Sequence, residues 1–216
     1  MTNNALLAPD GVREVFRRFK DNNPSPVSEL HAPNAYCFLV SVVLSAQATD
    51  KSVDLATKAL YEVASTPAQM LALGREKLIG YIRSIGLYNS KADYIIALSQ
   101  KLVDDFGGEV PATREELMKL PGVGRKTANV VLNVVFNKPT MPVDTHVFRV
   151  CPRIGLTGGK TVLDVELALE KIVPAEYAHE AHHWLLLHGR YTCTARRPHC
   201  ADCIIKDLCL YPQKTE

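Results

Sequence analysis

No apolar run in this 216-residue chain reaches the roughly 18 residues that a membrane-spanning helix needs. The longest, Ala35 to Ala46, is already interrupted by Ser41 and Ser45. The N-terminus, Met1 to Asp10, lacks a basic flank and a long apolar stretch, so it does not read as an export signal. Alternation of apolar and polar residues is missing over any useful length, which argues against β-sheet. There is no low-complexity tract and no clear internal repeat. An excess of one charge is also missing. Lys and Arg number 25 against 23 Asp and Glu, a net charge of +2. Total charge therefore neither points to a polyanionic partner nor excludes one, and only local clustering is informative. With 47% apolar and 22% charged residues, the chain is not a disordered tail, a collagen or a coiled-coil rod. The expectation is a soluble, cytoplasmic protein.

What is present is helical periodicity. Val12, Val15, Phe16 and Phe19 follow i, i+3, i+4, i+7 spacing, and Pro24 and Pro26 end that pattern. Ala35 to Leu44 is apolar nearly all round, the mark of a buried central helix. Val53, Ala56, Leu60 and Val63 share a face. Thr66-Pro67 reads as an N-cap with Pro at the first helical position. Asn89 reads as the cap of a helix carrying Ala92, Ile95, Ile96, Ser99, Leu102, Val103 and Phe106 to Gly107-Gly108. Thr113 with Glu116 has the spacing of a capping box. Further helices are expected near Thr145 to Ile154, Val162 to Ile172 and Glu176 to His188, with Gly189 as the last C-cap. The fold class is all-α. The breaks at Pro24 to Pro26 and at Pro139 to Pro142 are candidate domain boundaries.

Between two short helices lies Leu120-Pro-Gly-Val-Gly-Arg-Lys-Thr127. Gly122 and Gly124 admit turn geometries closed to other residues and let a ligand approach the backbone. The amides there would face outward at a helix N-terminus, a ready phosphate site that contacts nucleic acid without reading sequence. An ordinary capped turn explains the glycines equally well. The spacing is not that of a Walker loop. Lys126 sits in the first turn of the second helix, an electrostatically poor place for a merely structural cation. An uncharged lysine amine is a nucleophile able to form a Schiff base. Asp144, in Pro142-Val-Asp-Thr-His146, is placed as an N-cap, a role that leaves room for a second one beside a developing cation. His146 reads as structural rather than as a base.

The six cysteines are unevenly spread. Cys37 and Cys151 sit alone in apolar segments and read as small buried residues. Cys193, Cys200, Cys203 and Cys209 are spaced Cys-x6-Cys-x2-Cys-x5-Cys. Four thiolates so close in sequence suit one four-cysteine metal site. Spacing alone leaves iron–sulfur and zinc about even, with a disulfide pair behind. The stretch from Gly189 to His199 holds three Arg and no acidic residue. Arg196 and Arg197 lie between the first two cysteines, so the loop reads as a phosphate clamp or as a solvated charged loop.

Taken together these motifs resemble the bacterial endonuclease III family of the helix–hairpin–helix DNA glycosylases, in its iron–sulfur branch. The resemblance rests on Leu120 to Asn129, Val143-Asp-Thr-His146, His188 to Cys193 and the cysteine spacing. Leu44 to Asp50 and Gly86 to Lys91 add to it, and it runs from about residue 12 to 210. It implies two helical domains flanking a DNA-binding cleft: residues 28–138 with the hairpin, and residues 1–27 plus 139–216 with a 4Fe-4S cluster on Cys193, Cys200, Cys203 and Cys209. It implies a monomer acting on double-stranded DNA that contains damaged pyrimidines or abasic sites. The base would be flipped out. Lys126 would attack the sugar, and Asp144 would stabilise the cationic transition state. Gln47 would fill the gap and Leu87 would wedge the duplex. Gly122, Gly124, Arg125, Arg196 and Arg197 would meet the DNA backbone. A non-catalytic DNA-binding or redox module, and a glycosylase without lyase activity, are the competing expectations. A core position at a helix end is the alternative for Leu87.

Overall fold

The computed structural model describes residues 5–215. The N-terminal reading above falls partly on Met1–Asn4, outside the described residues. Among the described residues there are helices and turns, and no strand. No helix is long and apolar enough to cross a membrane. The chain divides into two compact units, one of residues 1–27 with 138–216 and the other of residues 28–137.

The first helix, α1 (Pro9–Asn22), belongs to the discontinuous unit. Its stripe of Val12, Val15, Phe16 and Phe19 is buried. Phe16 lies 6.4 Å from Trp184 and 6.2 Å from Tyr177, ring centre to ring centre. Each such side chain contributes about 2 kcal/mol through burial. Arg18 forks onto Asp207 at 2.6 and 2.9 Å and reaches the Ile204 carbonyl at 2.9 Å. These contacts fasten the chain's start to its cysteine-rich end.

The continuous unit is built on α2 (Ala35–Leu44), α3 (Asp50–Val63), α4 (Pro67–Leu73), α5 (Arg75–Ile82), α6 (Tyr88–Phe106), α7 (Arg114–Leu117) and α8 (Arg125–Val134). Every residue of α2 from Tyr36 to Leu44 is buried. The helix packs against α3, α6 and α8, as a segment apolar on all sides must. Asn34 caps it by accepting from the Cys37 amide at 2.9 Å. Its polar atoms are matched inside the core: the Tyr36 hydroxyl pairs with Ser99 at 2.6 Å, and the Tyr61 hydroxyl donates to the Cys37 carbonyl at 2.8 Å. Thr66 caps α4, with Pro67 behind it.

Three sequence expectations need correction here. Helix α6 starts at Tyr88, not after Asn89, because Leu87 takes the cap position in a left-handed conformation. Val63 and Val103 are 50% and 38% exposed, so the first stripe loses its last residue and the second loses Val103, while Phe106 beyond it still packs on the core. At α7, Glu116 accepts from the Thr113 hydroxyl at 2.6 Å while Thr113 accepts from the Glu116 amide, so the carboxylate bonds a side chain and not the backbone.

The discontinuous unit continues with α9 (Thr145–Ile154), α10 (Val162–Ile172) and α11 (Ala181–Leu187). One long helix from Glu176 to His188 does not form. A short 3-10 turn, Ala175–Tyr177, precedes α11, and a π turn, His188–Thr192, follows it. Gly189 is accordingly not a C-cap. It is buried inside the π turn, where a Cβ would stand 2.9 Å from His146 Cβ and Val150 Cγ2. Close approach to α9, not chain reversal, demands glycine there. The π turn ends at Cys193, whose amide donates to the His188 carbonyl at 2.7 Å.

Candidate active site and cluster segment

Each group of residues singled out by the sequence has a definite place. In the continuous unit the turn before α8 holds Gly122 and Gly124. Gly122 has φ +77°, and a Cβ on it would lie 2.9 Å from Tyr94 Cβ. Internal packing therefore requires this glycine. Gly124 differs. Its φ is −90°, open to any residue, and a Cβ there would meet nothing within 4 Å. What its missing side chain leaves clear is the outside of the turn. Gly124 is also the N-cap of α8 and supplies no side-chain cap, and the first turn has no acidic residue. Arg125 and Lys126 open the helix there, Lys126 exposed and Arg125 half-buried. Buried Ala128, Val130, Val131 and Leu132 anchor the helix behind them.

The two glycines make a paired prediction. Gly122→Ala should lower stability by about 1–3 kcal/mol, through a strained φ and the Tyr94 contact. If the turn cradles a DNA phosphate, as the sequence resemblance implies, Gly124→Ala should melt like the parent yet bind duplex DNA about tenfold more weakly, since a hydrogen bond to a charged group is worth about 1.5–3 kcal/mol. Thermal melts and fluorescence titrations check both. Parental affinity in Gly124→Ala would remove the backbone cradle from the argument.

Gln47 and Leu87 share an unusual state. Their φ values are +56° and +60°, and the other non-glycine residue in that region among those described is Asn137. Gln47 is exposed, and Leu87 is 62% exposed, which overturns the core alternative for Leu87. A branched apolar residue held left-handed and pushed into solvent costs of order 1–3 kcal/mol and gains nothing for the fold. Such outliers gather at ligand sites. A wide surface groove of about 550 Å³ on the same unit, lined by His31, Asp54, Lys58, Tyr61 and Glu62, holds none of the singled-out residues.

In the other unit Asp144 is the N-cap of α9. Its Oδ1 accepts from the His146 amide at 2.9 Å and the Val147 amide at 2.8 Å. Both capping bonds fall on one oxygen, so the cap does not use Oδ2. The half-buried carboxylate is held by a helix whose Val147, Val150, Cys151 and Ile154 are buried. The His146 ring faces Arg149, Nδ1 to Nη2 at 3.2 Å, in keeping with a structural role.

Cys37 and Cys151 are fully buried, and burial pushes the Cys37 thiol up to about 11. Cys193, Cys200, Cys203 and Cys209 are free thiols that wall one small cavity together with Ile154, His188, Pro198 and Tyr211. Among the described residues no three His, Cys, Asp or Glu side chains gather round a single ion position. Four thiols round one cavity are a donor set for a metal centre, and the cavity by itself does not separate zinc from iron–sulfur. Such a set of four thiolates would also hold an iron–sulfur cluster. Arg196 and Arg197 project into solvent from the loop between the first two thiols. Sequence reasoning missed two arginines. Arg149 bonds the Gly189 carbonyl at 2.7 Å and the Cys193 carbonyl at 3.2 Å, and Arg153 reaches the same loop. Both lie on the polar side of α9, where a single sequence carries no signal of a tertiary partner.

Residues 40–175 match the HhH-GPD superfamily of base excision DNA repair proteins. The chain belongs to this superfamily, in its endonuclease III branch. Residues 193–209, from the first of the four cysteines to the last, match the iron–sulfur binding domain of endonuclease III. Endonuclease III of Treponema pallidum is 56% identical over 204 residues, covering 94% of this chain and 97% of that protein. The Escherichia coli K12 endonuclease III is 55% identical over 203 residues, covering 94% and 96%. A solved structure of a trapped endonuclease III–DNA covalent intermediate superposes with a TM-score of 0.89 at 45% identity, covering 95% of this chain and 97% of that one. A thermostable thymine-DNA glycosylase at 24% identity and TM-score 0.83 shares the fold. This member of the superfamily is a base-excision-repair DNA glycosylase with AP lyase activity, and its cofactor is a 4Fe-4S cluster.

Proposed function

We propose that the enzyme excises oxidised pyrimidines from duplex DNA through a lysine Schiff base and then nicks the strand by β-elimination, acting as a monomer in the bacterial cytoplasm. The observation that carries this reading is Lys126, an exposed amine in the first turn of a helix whose N-terminus has no side-chain cap. A protein that only bound DNA would have no use for a nucleophile there.

In this reading the helix start and the Gly124 turn take the backbone phosphate, with Arg125 beside them and Arg196 and Arg197 on the cysteine loop. The damaged base leaves the stack. Leu87 enters the duplex as a wedge, and Gln47 occupies the vacated place. The Lys126 amine attacks C1′ as the glycosidic C–N bond breaks, and the bonding pair departs with the base, which takes up a proton. The Asp144 carboxylate offsets the positive charge that builds on the sugar. The C1′–O4′ bond then breaks, O4′ takes up a proton released by the lysine nitrogen, and the opened sugar is left as an imine that acidifies the C2′ hydrogen. Its removal expels the 3′ phosphate by β-elimination, and water then frees the lysine. Cys193, Cys200, Cys203 and Cys209 would hold the cluster, whose bonds cross-link the segment that presents Arg196 and Arg197.

The test of substrate class is base release from duplexes carrying one oxidised pyrimidine against the matched undamaged duplex. Release from the former alone supports the reading, and equal rates or none overturn it. Leu87 supplies a second check. Leu87→Asn suits the left-handed backbone, so it should stabilise the fold by about 0.5–1 kcal/mol while slowing base release about tenfold or more. A variant as active as the parent would remove the wedge.

A further inference from the structure

We propose that Arg153 is a positioning residue that clamps the start of the cysteine loop and sets the electrostatic environment of the first thiolate. The proposal rests on the reading that Cys193 is a cluster ligand and that Arg196 and Arg197 meet DNA. Arg153 is half-buried in the last turn of α9, the helix that Asp144 begins. Its Nη1 donates to the Thr194 carbonyl at 2.8 Å and lies 3.6 Å from Cys193 Sγ. Its Nη2 donates to the Ala195 carbonyl at 3.0 Å. The guanidinium stacks on the Tyr211 ring, 4.6 Å from its centre. The Arg153 carbonyl lies 3.5 Å from Cys209 Sγ, and the next carbonyl, of Ile154, accepts from the Leu210 amide at 3.1 Å. One residue thus touches the first and last thiols of the set and the two peptides that lead to Arg196.

Among the described residues no carboxylate pairs with Arg153. Its fork is spent on two carbonyls, a sulfur and a ring. The planar guanidinium fits this task because it bridges two acceptors and stacks at once, which an ammonium does not. Two consequences follow. The loop carrying Arg196 and Arg197 is held in one shape before DNA arrives, which lowers the ordering cost of binding. An uncompensated cation with an N–H on a ligand sulfur favours the more negatively charged state of the cluster, since hydrogen bonds to sulfur and local charge are what tune such potentials.

The test uses the full-length, cluster-loaded protein and its Arg153→Gln and Arg153→Lys variants. The cluster potential is measured by redox titration, and affinity is measured for a duplex with an uncleavable abasic-site analogue. Arg153→Gln should shift the potential negative and weaken DNA binding about tenfold, the lower end of the effect of losing a group behind a metal ligand. Arg153→Lys keeps the charge but not the two-carbonyl bridge, so it should recover the potential more than the affinity. A loaded Arg153→Gln protein with parental potential and affinity overturns the proposal. If Arg153→Gln fails to load, Tyr211→Leu, which removes the stack alone, should move both readouts the same way by less, and parental values there overturn the proposal. An Arg196→Ala, Arg197→Ala double variant separates the two layers. Parental affinity in it would refute the DNA-contact reading, while lost affinity there with parental affinity in Arg153→Gln refutes the clamp.

Discussion

In the Lys126→Gln variant, borohydride is expected to trap no covalent adduct on a duplex with one abasic site, whereas the parent protein traps one. Strand nicking should fall by about a thousandfold or more. Glutamine stays polar and is one atom shorter, but it has no amine, so it forms no imine for borohydride to reduce. The fold should not notice. Lys126 is exposed and helical, and the buried residues that hold α8 are Ala128, Val130, Val131 and Leu132. Surface replacements of this kind change stability by about 0.5 kcal/mol or less. The visible absorbance of the cluster and the melting temperature should therefore match the parent, which makes lost trapping a chemical result. An adduct that survives the change would move the nucleophile to another amine. Absence of any adduct from well-folded, cluster-loaded parent would leave a glycosylase whose strand breaks appear only after heat or alkali.

The sequence is readable where a side chain's job is local. The α2 core helix, the Thr66-Pro67 start of α4, the Gly107 end of α6 and the extents of α9 and α10 all follow from periodicity and caps, and each forms. What is not readable comes from tertiary geometry. Nothing local says that Leu87 or Gln47 is left-handed, because neither residue type favours that region. Nothing in the run Glu176 to Thr192 announces that the last helix starts only at Ala181 and runs into a π turn at His188. Within that turn Gly189 lies so close to α9 that a Cβ would stand 2.9 Å from His146 and Val150, a contact no local pattern shows. The same holds at the site. The role of Gly122 was legible as a turn, whereas the contrast with Gly124 needs the neighbour, Tyr94, that only the fold supplies. The cysteine spacing left zinc and iron–sulfur level, and the match of residues 193–209 to an iron–sulfur binding domain is what separates them. Arg149 and Arg153 carry no local signal, because their partners are carbonyls of the distant cysteine loop.

Asp144 carries the other large expected effect, and its geometry lets two roles be separated. Asn and Asp cap helices about equally well, so Asp144→Asn should keep the bonds to the His146 and Val147 amides and melt within about 1 kcal/mol of the parent. The variant loses charge, not shape. If the carboxylate offsets the cation that forms as the base leaves, base release should drop by about a hundredfold to ten-thousandfold. Trapping on a preformed abasic site should fall far less, because there C1′ is a hemiacetal in equilibrium with the open aldehyde and no base has to be expelled. Asp144→Ala removes cap and charge together. It should lose base release to the same degree and in addition about 0.5–2 kcal/mol of stability. The decisive comparison is Asp144→Asn on the two substrates. A selective loss on the base-containing duplex puts the carboxylate in the excision step. Parental rates on both would leave Asp144 as a cap alone, and the charge stabilisation would have to come from elsewhere.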